Sequence, residues 1–151
     1  MSVVLTYQLS ALLLSLGLLV LGLIVFAGLS NYDHDDALTT ADNPAVGWVT
    51  FGFLSGLLIV IATILGMDVD HEQQAGVMVY DLVELVIYGL VSIFLLKLSG
   101  ILNDRFILGG FDNRKELIDD RNQGVGVCLL GSYIASALMI SGAIYGEGQS
   151  S

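Results

Sequence analysis

Charged residues are absent from four long stretches of this chain, Met1 to Tyr32, Asn43 to Met67, Leu85 to Leu96 and Asn122 to Gly146, and polar positions crowd between them. A bilayer crossing needs about 20 mostly apolar residues. The pattern predicts transmembrane helices over about residues 3–29, 44–66, 77–101 and 123–146, an all-α integral membrane protein with residues 1–151 as one domain. The longest polar stretch, Asn103 to Arg121, reads as a loop or short surface helix. The first apolar run, roughly 27 residues, exceeds the hydrophobic region of a signal peptide, and no basic residue precedes it. It is expected to stay as a span.

Two of these stretches repeat each other. Ala45, Gly52, Gly56 and Thr63 recur as Gly124, Gly131, Ala135 and Gly142, 79 residues later. On a helix each set falls within about 40° of arc. In lipid, helices gain little from the hydrophobic effect, and small residues let backbones approach closely enough to gain dispersion contacts. These eight positions are therefore the expected helix-packing residues. The same offset matches Leu29 with Leu108, Asp33 with Asp112, Leu38 with Leu117, Asn43 with Asn122, Val46 with Val125, Gly47 with Gly126 and Ile61 with Ile140. The expected architecture is four transmembrane helices in two tandem parallel two-helix repeats, about 3–66 and about 77–146, related by a pseudo-two-fold along the membrane normal. Asn43 and Asn122 each open a helix, and Pro44 follows the first where its missing N–H costs nothing, so both asparagines are expected helix caps. Trp48, one turn in, fits an interfacial belt.

The basic residues orient the fold. Arg105, Arg114, Lys115 and Arg121 lie between the third and fourth spans, with Lys97 near the end of span three on that side. The positive-inside bias makes loop 102–121 cytoplasmic, and with it loop 30–42, leaving both termini outside.

The third span carries the polar chemistry. Asp81, Glu84, Tyr88, Ser92 and Ser99 share about 80° of its circumference, and Lys97 projects on nearly the opposite side. Ionisable groups in a span usually face a bundle interior or a wet path, which makes this face a possible ion pathway. The alternative places Asp81 and Glu84 in the headgroup zone as solvated charges and lets Lys97 snorkel to the interface.

A mean hydropathy of +0.81, 55% apolar and only 13% charged residues exclude a separate soluble domain. The net charge of −10 comes from the loops and disfavours anionic partners, and with no basic patch in the sequence no nucleic-acid partner is expected. The one cysteine, Cys128, lies in the fourth span and reads as a small apolar residue. Asp68, Asp70 and Glu72 alternate like a calcium loop, but Gln73 stands where an EF-hand needs Gly and Val79 where it needs Glu. Asp33, His34, Asp35 and Asp36 read as a solvated turn, so no metal and no cofactor is expected. His34 and His71 fall on opposite sides of the membrane in this topology. With no phosphate loop, nucleophile elbow or histidine pair, the expectation is a protein that is not an enzyme.

The run Arg114-Lys115-Glu116-Leu117-Ile118-Asp119-Asp120-Arg121-Asn122-Gln123-Gly124-Val125-Gly126, with Gly131-Ser132-Tyr133-Ile134-Ala135 and Ser141-Gly142-Ala143-Ile144-Tyr145-Gly146-Glu147-Gly148, resembles the YjfL-type bacterial inner-membrane domain of unknown function. The resemblance covers most of the chain and is sharpest from Asp81 to Gly148. It implies a four-span fold and, from the company its members keep with envelope-stress genes, a membrane-maintenance or assembly role with no catalytic residues. Many members end the last helix with Asn-Ala where this chain has Gly142-Ala143, so no role of that amide carries over. The expected function is a non-enzymatic subunit or scaffold of an envelope assembly in the bacterial inner membrane. Its partners would be the lipid bilayer and further copies or subunits, with the ion or proton pathway along span three as the alternative.

Overall fold

Each apolar stretch closes into a helix where its polar flanks allow. In the computed structural model, which describes residues 3–66, 75–103 and 114–148, the order is α1 (Val3–Gly28), α2 (His34–Thr39), α3 (Pro44–Gly66), α4 (Ala75–Leu102) and α5 (Gln123–Gly148). A π-helical turn, Lys115–Asp119, precedes α5. Among the described residues there is no strand, and α1, α3, α4 and α5 are each long and apolar enough to cross a membrane. Asp68, Asp70, His71, Glu72 and Gln73 lie outside the described residues, as does Arg105.

The connection read as a solvated turn holds a helix instead. Asp33 has extended backbone and its carboxylate accepts the Asp36 N–H at 3.0 Å, which caps α2, while Asp35 and Asp36 stand in its first turn. Carboxylates there satisfy orphan donors and complement the helix dipole. The acidic run thus starts a helix, and His34 turns inward.

The core forms around α3. Half of its apolar window is buried, against 22% for α1. In α1 the buried positions are Ala11, Ser15, Leu18, Gly22 and Phe26, a stripe at helical spacing, and Leu13, Val20 and Ile24 point outward. Outward leucines cost nothing where the solvent is hydrocarbon. The tightest seam joins α3 to α5. A Cβ on Gly52 would stand 2.5 Å from the Leu130 Cα, and one on Gly126 would stand 2.6 Å from the Ala45 carbonyl oxygen. Only hydrogen fits at these two crossings.

The segments that lead into α3 and α5 lie side by side, tied by the Asn43 Nδ2, which donates to the Leu117 carbonyl at 2.7 Å. They make the same backbone bonds in one register. The N–H groups of Ala41, Asn43 and Gly47 bond to Asp36, Ala37 and Asn43, and 79 residues on those of Asp120, Asn122 and Gly126 bond to Lys115, Glu116 and Asn122. Asp42 and Arg121, each just before its asparagine, take φ of 47° and 48°. That left-handed step lets the chain double back from one helical turn into the next helix.

Candidate functional site

The two small-residue sets have different surroundings. Ala45, Gly52 and Gly56 are buried, with Gly56 facing the Tyr133 carbonyl and the Ala137 methyl, and Thr63 is half-buried with its hydroxyl donating to Ile59. Gly124, Gly131, Ala135 and Gly142 are all exposed, and nothing lies within 4 Å of a Cβ on Gly131 or Gly142. Within the chain, α5 meets α3 through Gly126, Leu130, Tyr133 and Ala137 instead. Cys128 is exposed on the same outer face as Gly131.

The asparagines sit at helix starts. Asn43 Oδ1 accepts from the Ala45 N–H at 3.0 Å and Asn122 Oδ1 from the Gly124 N–H at 3.0 Å. The Asn122 amide donates to Glu116 at 2.8 Å, whereas that of Asn43 crosses to the other connection.

The polar stripe of α4 does not line one path. Glu84 is exposed, and Asp81, Tyr88 and Ser99 are half-buried. Ser92 is fully buried with its hydroxyl donating to its own helix at Tyr88, and Ser99 pairs with the Ser136 hydroxyl. The inward face of α4 is Leu85, Gly89, Ile93, Leu96 and Gly100, rotated away from the stripe.

Lys97 projects opposite the polar stripe, where the alternative reading lets it snorkel to the interface; it is 9% exposed and lies against α1. Its Nζ donates to the Phe26 carbonyl at 3.1 Å and sits 4.5 Å from the centre of the Phe26 ring. The reason is local: α1 ends at Gly28, so carbonyls of its last turn have no helical partner, and a cation at a helix C-terminus is favoured. An aromatic face adds attraction for the same charge.

Beneath this pair, Phe26 stacks edge-on with His34, at 5.5 Å between centroids, and with Tyr133, and packs on Phe53 at 4.8 Å. His34 Nε2 lies 2.8 Å from the Thr50 hydroxyl. Thr50 spends its single proton on the Val46 carbonyl at 2.9 Å, so the network assigns the proton of this contact to Nε2. Burial pulls the His34 pKa below its ordinary 6.5, Lys97 adds to that, and Asp35 and Asp33 oppose it. Among the described residues no three His, Cys, Asp or Glu side chains come together as a metal site.

Above Lys97 a cleft of about 120 Å³ opens among the end of α1, the end of α4 and the π-turn, lined by Ser30, Tyr32, Lys97, Arg114 and Tyr133 among others. An apolar groove of about 300 Å³ runs down between α1 and α4 past Leu21, Val25, Leu90 and Phe94. Leu29, Lys97 and Ile101 line both, so the two adjoin at these side chains. Neither is lined by any residue of the α4 stripe. Reading polarity along the helix missed Lys97, Phe26 and His34 as a group. The glycines of α4, Gly89 and Gly100, mark the packed face and were the signal for it.

Four helices long and apolar enough to cross a membrane define a multi-pass membrane protein. Within that class, the chain belongs to the Domain of Unknown Function (DUF350) family, whose model matches residues 2–144. Nothing among curated proteins or solved structures matches the chain.

Proposed function

We propose that this protein is a non-enzymatic subunit or scaffold of a membrane assembly, joined to copies of itself through the outer face of α5. One observation carries the reading: Gly131 has open space where its repeat counterpart Gly52 meets Leu130 of α5, and Gly142, on the same face, is open as well. Small residues facing acyl chains forgo the dispersion contacts that a neighbouring helix would supply. The identical register of bonds at the two connections supports two tandem parallel repeats, and the basic residues of loop 102–121 support a cytoplasmic placement with both termini outside. The family's company supports an envelope-maintenance role in the bacterial inner membrane.

Cys128 supplies the test, because it is the only cysteine and lies on the proposed seam. Oxidation or a short bismaleimide in native membranes gives a cross-linked dimer, which Cys128→Ser abolishes and Gly131→Leu suppresses. Monomeric particles on native gels, with no cross-link by either reagent, would sink the reading.

A further inference from the structure

We infer that the adjoining cleft and groove at Lys97 form a binding site for one anionic glycerophospholipid. The occupant follows from the surroundings. A groove of about 300 Å³ between two lipid-facing helices has hydrocarbon as its solvent, and dispersion fills such a space with an acyl chain. What distinguishes this groove is the end at which it stops. It reaches Lys97, which also lines the adjoining cleft, and the charged lining of that cleft, among the described residues, is Lys97 and Arg114. Both are cations.

The carboxylates of the neighbouring connections, Asp33, Asp35, Asp36, Glu116, Asp119 and Asp120, are absent from that described lining. The chain is acidic overall, yet the charged side chains lining this opening, among the described residues, are both positive. Ser30 and Tyr32 bring hydroxyls to the same cleft. A phosphodiester with a negative headgroup meets Lys97 as a point charge and Arg114 as a planar fork, while one tail follows Leu21, Val25, Leu90 and Phe94. Basic pockets between spans recognise acidic headgroups by this logic. The groove lies between α1 and α4, and the cleft touches α5 at Leu129 and Tyr133, which are buried and not on the exposed face of the proposed seam, so the site stands or falls separately from self-assembly.

The experiment is native mass spectrometry and thermal unfolding of the full-length protein in detergent, titrated with dioleoylphosphatidylglycerol, dioleoylphosphatidylcholine or inorganic phosphate. One phosphatidylglycerol per chain is retained and raises Tm. Phosphatidylcholine binds at least tenfold more weakly, and phosphate alone leaves Tm unchanged. Lys97→Met and Arg114→Gln each weaken phosphatidylglycerol at least fivefold, and Val25→Trp, which fills the groove, does the same without touching a charge. Arg114→Gln lies outside the spans and keeps the test open if Lys97→Met fails to fold. Equal retention of the two lipids, or binding indifferent to Arg114→Gln and Val25→Trp, overturns the inference. A Tm rise with phosphate alone, undiminished by Val25→Trp, overturns it too, as a headgroup site without a tail.

Discussion

Lys97 Nζ lies 3.1 Å from the carbonyl of Phe26 and 4.5 Å from the ring of that same residue, so one amino acid of α1 holds the cation twice. Loss of the two partners has unequal effects. The Phe26 carbonyl also accepts from the Ser30 hydroxyl at 2.7 Å, so Lys97→Met leaves that acceptor satisfied and costs about 1 to 2 kcal/mol. Phe26→Ala empties a site packed by His34, Phe53 and Tyr133 and costs about 3 to 5 kcal/mol. Unfolding in mixed micelles measures both, and a Lys97→Met loss as large as that of Phe26→Ala refutes the comparison.

The α3–α5 seam separates folding from assembly. Gly52→Ala and Gly126→Ala place a methyl against backbone, which cannot rotate aside, and each destabilises the chain by about 1 to 3 kcal/mol. Gly131→Ala meets nothing within 4 Å and shifts the unfolding midpoint little, by at most about 1 kcal/mol in either direction. Similar losses at all three positions would mean that the seam lies elsewhere.

Asn43 and Asn122 occupy equivalent positions with unequal duties. Asn43→Ala removes a cap and the buried donor to Leu117, for about 2 to 3 kcal/mol. Asn122→Ala removes a cap whose amide serves only a neighbouring side chain, for about 1 kcal/mol. Asp at position 43 keeps the cap and loses the donor, so Asn43→Asp is worse than Asn122→Asp. Thermal unfolding of the four variants checks the order.

His34 gives the fold a pH dependence. Its folded pKa is held below 6.5 chiefly by burial, so the unfolded chain takes up the proton first as pH falls. Stability contributed by neutral His34 is full above about pH 6.5 and is lost as pH drops from there toward the lower folded value. Wild-type Tm declines across that window, whereas His34→Gln stays level until carboxylates titrate. An unchanged slope in His34→Gln assigns the pH response to other groups.

Helix positions were legible in the chain because hydrocarbon demands length and the absence of charge, and those requirements are written residue by residue. The bounds read for α3, 44–66, match the structure. The asparagines were legible because capping is local chemistry. The inward face of α4 was not, since polarity alone does not select it in lipid: Leu85, Gly89 and Leu96 pack inward because they fit, and Lys97 follows because α1 ends opposite it. The burial of His34 was hidden for a related reason. Its acidic neighbours look like a solvated run until Asp33 caps a helix and points the imidazole at Thr50.

The closest seam, α3 against α5, joins segments made far apart in time. Gly52 can meet Leu130 only after residue 130 has been translated, so this crossing closes late in synthesis. Two separately expressed halves should consequently find each other and co-purify, because the strongest mating surface belongs to one half on each side. The core of this chain is thus completed by its last helix.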